Sequence, residues 1–139
     1  MELIANAVQT VAAAANIQFT DEVVNGCNSI LHRAGSGLIT LRGITNQCRA
    51  RFRAFFSGNV AVPTGGTVEA ISLALAINGE AVAATTMIQT PAAVAEFANV
   101  ASAIYIDVPS DCCVTLSVRN TSTQAIEVQN VNLIVERVA

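Results

Sequence analysis

Residues 48–57 alternate without a break. Cys48, Ala50, Phe52, Ala54 and Phe56 fall on one side, and Arg49, Arg51, Arg53, Phe55 and Ser57 on the other. A period of two belongs to an extended strand, whose successive side chains point to opposite faces. In a helix the same spacing would scatter the arginines around the axis. The run therefore demands a sheet with one face in a core.

The rest of the chain repeats this theme in shorter pieces. Residues 16–19 form a short alternating run, followed by a polar loop through Asp21, Glu22, Asn25 and Gly26. Residues 29–32 and 38–42 read as strands, broken at 33–37 and ended by Gly43. A turn cluster at 63–66 precedes a strand over 68–77. Asn78-Gly79 then supplies a two-residue hairpin turn, and 80–89 is the returning strand. Residues 92–97 read as a loop, 98–108 as a strand closed by Pro109, Ser110 and Asp111, and 112–119 as its successor. After a turn at 120–123 the last strand spans 126–138. It alternates Ile126, Val128 and Asn130 and then Val131, Leu133 and Val135, which needs a register kink between the two sets.

Composition favours the same class. Val (17) and Ile (12) outnumber Leu (8), as suits pleated, half-buried strands. Eight or more short strands separated by turns define an all-β sandwich or barrel, and an antiparallel jelly roll is the leading choice. Only residues 1–15 are ambiguous. Leu3, Ile4, Ala7, Val8 and Val11 have helical spacing, yet Val8, Thr10 and Val11 also suit a strand. We read residues 1–15 as an arm, strand rather than helix, that packs on a neighbour, and 16–139 as the jelly-roll domain.

Several functions are excluded by charge. Hydrophobic residues at 53% and charged residues at 12% exclude a disordered chain. Seven arginines, no lysine and ten acids give a net charge of −3, which argues against a nucleic-acid partner. No membrane span is expected, because Asn6, Gln9, Asn16 and Gln18 interrupt the uncharged stretch over 3–20. No secretory signal is expected either, since no basic segment precedes an apolar block. A charge-poor surface rich in Ala, Thr, Asn and Gln suits a protein that buries much of its outside against other subunits.

The order of these motifs resembles the tumour-necrosis-factor and complement-head jelly-roll superfamily. Residues 16–20, 29–32 and 39–43 resemble its opening strands, the hairpin over 76–80 its central pair, and 106–120 its penultimate pair. Two features depart from it: no Tyr follows Gly43, and arginines replace the usual apolar pattern over 49–53, which puts cytokine-type receptor binding in doubt. The phrases at 41–48, 62–66 and 131–138 are more similar to small trimeric jelly-roll proteins of phages and prophages of gut Firmicutes. That resemblance implies a homotrimer and a virion location, with the major capsid protein or another virion protein as partner. Its role would be capsid decoration that stabilises the shell. The alternative is an extracellular or cell-surface trimer, or fibre tip, that recognises a glycan or receptor.

Chemistry finds few candidates. His32 is the single histidine, so every Ser/His/Asp or Cys/His site would have to use it. We read it as structural and the chain as no enzyme, with no cofactor. Cys27, Cys48, Cys112 and Cys113 match no paired zinc-ligand spacing. Some are expected as buried small hydrophobes, with one or two disulfides and three pairings left open. The unusual feature is the ladder Arg49, Arg51 and Arg53. Neighbouring guanidinium groups on one strand face stand about 6–7 Å apart and repel unless acids engage them. Glu69, Glu127 and Glu136 are candidates for that role. The ladder is expected to be a subunit or capsid contact, the alternative being a solvated face.

Overall fold

A computed structural model describes residues 1–139 as two antiparallel sheets packed face to face, a jelly-roll β-sandwich. The strands are β1 (Glu2–Ala5), β2 (Gln9–Val11), β3 (Asp21–Val24), β4 (Ile30–His32), β5 (Ile39–Arg42) and β6 (Arg49–Ala61). They continue with β7 (Ile71–Ile77), β8 (Glu80–Ala81), β9 (Met87–Gln89), β10 (Ala98–Pro109), β11 (Cys113–Asn120) and β12 (Ile126–Arg137). The first sheet runs β10-β6-β12-β1-β3, with β2 also on β12. The second runs β4-β5-β11-β7-β8, with β9 on β7. No helix is long and apolar enough to cross a membrane.

The long alternating strand behaves as its period requires. Ala50, Phe52, Ala54 and Phe56 of β6 are fully buried, and the arginines point out. The inward faces of both sheets meet in one core with Phe19, Phe52 and Phe56 as its largest side chains. The kink in β12 is a bulge. Pairing with β6 slips between Gln129 and Asn132, and Asn130 takes a left-handed φ of 53°. The slip turns Ile126 and Val128 inward before it and Val131, Leu133 and Val135 inward after it. Gly58 of β6 makes room, because a Cβ there would meet Val131 Cγ1 at 2.8 Å.

Four expectations are corrected. Residues 1–15 are not set apart from the domain as an arm: β1 lies between β12 and β3 of its own sheet, and Leu3, Ala5 and Val11 join the core. Residues 21–24, expected as loop, form edge strand β3 because β1 offers them a partner. Residues 16–19 make only one bridge, Asn16 to Arg119, though Ile17 and Phe19 are buried. The return strand over 80–89 is interrupted by a 3-10 turn at Ala83–Thr85. There the Thr85 hydroxyl accepts from the Leu75 N–H at 2.9 Å, standing in for a strand partner before β9 resumes on β7. The Asn78-Gly79 turn forms as expected, with both φ angles positive at 53° and 84°.

Candidate functional site

The outward face of β10, β6 and β12 gathers the chemistry. Register sets Asp107 opposite Arg51, Tyr105 opposite Arg53, and Ala103 opposite Phe55. On the other side of β6, Glu136 stands opposite Arg53 and Ile134 opposite Phe55. Arg51 clasps Asp107 with two bonds, Nε to Oδ1 at 2.7 Å and Nη2 to Oδ2 at 3.1 Å. Arg49 Nε lies 3.4 Å from the same carboxylate, and Arg53 Nη1 is 3.4 Å from Glu136. The Arg51 hydrogen bond holds the Asp107 carboxyl below its ordinary pKa, and the same contact raises that of Arg51.

All three ladder arginines are therefore engaged within their own chain. Of the nominated acids only Glu136 takes part. Glu69 bonds Thr123 and Gln124, each at 3.1 Å, and Glu127 lies at the far end of β12 opposite Ala61. Asp107 was missed, although the Tyr105-Ile106-Asp107 run alternates. Its meeting with Arg51 depends on a strand pairing that local sequence does not disclose.

Beside the ion pairs lies an apolar strip. Tyr105 is 66% exposed and Ile134 39%, with Phe55 half-buried between them and exposed Ala101 and Ala103 on the edge strand. Arg53, Phe55, Ile134 and Glu136 line a shallow depression of about 210 Å³. Such a face offers flat aromatic and aliphatic surface bordered by three arginines that share two carboxylates.

These ion pairs are solvent-exposed, so Arg51→Ala should move the melting temperature by no more than about 3 °C. The sign with pH follows from the lowered pKa of Asp107. The pair stabilises the fold above the ordinary carboxylate range, and that stabilisation is lost as pH falls through the folded-state pKa. Melting curves of wild type and Arg51→Ala should thus differ at pH 7 and coincide in strong acid. A larger difference in acid would contradict the pairing.

His32 is walled in. Its side chain has no exposure, Nδ1 lies 3.1 Å from Glu22 Oε1, and Nε2 lies 2.9 Å from the Ser36 carbonyl. It ties β4 to β3 and to the loop before β5. The expectation of buried cysteines is corrected: all four are free and exposed, because each falls in a loop or at a strand end. No group of three or more His, Cys, Asp or Glu side chains is placed to hold a metal ion.

The jelly-roll fold is shared with a complement globular domain. The globular domain of zebrafish complement 1qA protein superposes with a TM-score of 0.63 at 8% identity, over 96% of this chain and 93% of that one. A CBM35 domain from Cellvibrio japonicus gives a TM-score of 0.41 at 13% identity, covering 100% and 99% of the two chains. A family 35 carbohydrate binding module from Clostridium thermocellum gives 0.37 at 14% identity, over 96% of this chain and 91% of that one. No protein-family model matches the sequence, and no curated protein matches it.

Proposed function

We propose that the chain is a non-catalytic structural and binding module, a homotrimer joined through the outward face of β10, β6 and β12. The observation that carries this reading is the strip of Tyr105, Phe55 and Ile134 on a face whose arginines are each held by a carboxylate of the same chain. Exposed apolar area of this kind, rimmed by polar groups, marks interaction surfaces. Threefold closure is what the jelly-roll resemblance implies, and closed symmetry gives an assembly of defined size. The ladder then belongs to the rim of the contact, where Arg49, Arg51 and Arg53 border the apolar strip. The walled-in His32 supports a role without catalysis.

Light scattering tests the reading. Three copies of a 14.4 kDa chain should weigh about 43 kDa at micromolar concentration. Tyr105→Asp with Ile134→Glu should weaken association by about a hundredfold or more, roughly 2.7 kcal/mol, the size of a central interface anchor. Both side chains point outward, so circular dichroism of the dissociated variant should still show the β-sandwich. A wild-type protein that stays at 14.4 kDa would overturn the proposal.

A narrower form of the proposal seats this trimer on a phage head as a decoration protein. It rests on the phage-protein resemblance of residues 41–48, 62–66 and 131–138. Cosedimentation of the trimer with undecorated particles tests it, and a trimer that stays in the supernatant would reject it. Recognition of a glycan or receptor by the loops at one end of the sandwich is the form that would then remain.

A further inference from the structure

Free cysteine is among the most buried of side chains, and an exposed thiol invites oxidation and exchange. This chain exposes four, and all lie at one end of the sandwich. The Cys27 carbonyl accepts from Ile30 N–H at 3.1 Å just before β4, and Arg42 N–H beside it donates to the Ser29 carbonyl at 2.8 Å. Cys48 leads into β6, its carbonyl accepting from Ser110 N–H at 3.0 Å. Cys112 and Cys113 make the corner between β10 and β11.

The last two line a depression of about 670 Å³, together with Arg42, Ile44, Asn46 and Asp111. That volume falls in the range of small-molecule sites. Its walls are fixed by the backbone. Gly43 N–H donates to the Cys112 carbonyl at 2.9 Å, and Asp111 N–H donates to the Gly43 carbonyl at 3.2 Å. A Cβ on Gly43 would fall onto the Pro109 carbonyl, whose carbon lies 2.9 Å from that point, so only glycine lets the two loops lie this close. Across from the thiols, the Arg42 guanidinium makes a single long bond, 3.4 Å to the Asn28 carbonyl. It is in none of the chain's ion pairs, which involve His32, Arg49, Arg51 and Arg53.

We infer that this depression is a thiol-modification site for a small zwitterionic peptide disulfide. Arg42 would receive a carboxylate of the ligand, Asp111 its ammonium, and the Cys112–Cys113 pair the disulfide sulfur. A thiolate of the pair attacks one ligand sulfur, the ligand S–S bond breaks, and a new S–S bond joins that half to the chain. The other half leaves as a thiolate and takes a proton from water. The cysteine sulfur is oxidised and the departing sulfur reduced, so the disulfide itself is the oxidant. The inference is independent of the subunit contact, which uses a sheet face rather than this end.

Cys27 provides an internal comparison. The Ser29 backbone N–H is the main cause that holds its thiol below the ordinary range; partial burial opposes this, while the Ser29 hydroxyl and Arg137 assist. It does not line the depression. An uncharged disulfide should therefore select Cys27 by thiolate content, and a charged peptide disulfide should select the Cys112–Cys113 pair by binding.

The test treats the native protein with limiting oxidised glutathione or with hydroxyethyl disulfide and maps the adducts by peptide mass spectrometry. Glutathione should sit on the 112–113 peptide in preference to Cys27, and hydroxyethyl disulfide should show the reverse. Arg42→Gln should lower the glutathione adduct at 112–113 by about fivefold, roughly 1 kcal/mol, and leave the uncharged reagent's pattern unchanged. Arg33→Gln, outside the depression, should leave both patterns as in wild type. Glutathione adducts that follow the uncharged reagent's distribution, or that ignore Arg42→Gln, would overturn the inference.

Discussion

Phe56→Ala should cost about 3–5 kcal/mol of folding stability, a large share of what a domain of this size holds. The ring is fully buried between the sheets, and its Cζ would lie 3.2 Å from a Cβ on Gly58, so the neighbouring backbone is already drawn in tight. Removing it leaves a cavity that the inward residues of β12 can only partly fill. Phe55→Ala, one residue earlier, should behave oppositely, with little loss in the monomer and weaker association. Urea unfolding over a series of protein concentrations separates the two, since assembly adds its own concentration-dependent stability. Equal losses for both variants would mean that the facing of β6 is wrong.

Asn120→Leu should be nearly as damaging, about 3 kcal/mol. The side chain is fully buried at the end of β11. Its Nδ2 donates to the carbonyls of Val11 at 3.0 Å, Ala12 at 3.2 Å and Gln124 at 3.0 Å, and its Oδ1 accepts from Ser122 N–H at 2.9 Å. One amide thus fastens the segment after β2 to the β11–β12 turn. Leucine fills the space and satisfies none of these groups, and each buried polar group left without a partner costs about 1–3 kcal/mol. Asn120→Asp should be worse at neutral pH, because a carboxylate would face three carbonyls. A loss below about 1 kcal/mol for the leucine variant would show that water replaces the amide.

The same residue shows where reading the sequence stops. Asn120 sits in an Asn-Thr-Ser-Thr run and reads as a turn residue, whereas it is the last residue of β11, paired with Leu73. Nothing local says that its amide reaches residues 11 and 12. The strand periods, the Asn78-Gly79 turn and the presence of a kink in the last strand were legible because each is written within a few neighbouring positions. Strand β3 was not, because Asp21 and Glu22 are polar and acquire strand geometry from β1. The Arg ladder was visible as a feature. Its main partner was not, since the pairing of Asp107 with Arg51 spans 56 positions and depends on register. The cysteines misled for a related reason: residue type favours burial, and loop position overrode it.

The place of β12 between β6 and β1 has a consequence for how the protein is made. Every strand of the second sheet has left the ribosome once Asn120 emerges, so that sheet can pair while synthesis continues. The first sheet can pair only in two separate halves. Leu3 must wait for Leu133, and until β12 arrives the β10–β6 and β1–β3 pairs stay apart, with β6 offering a thirteen-residue open edge. Closing contacts this distant in sequence is slow, on the scale of milliseconds to seconds for β-sandwiches. The growing chain therefore passes through a half-built state whose exposed strand is its richest in aromatic residues, and that interval is when it most needs a chaperone or a low local concentration.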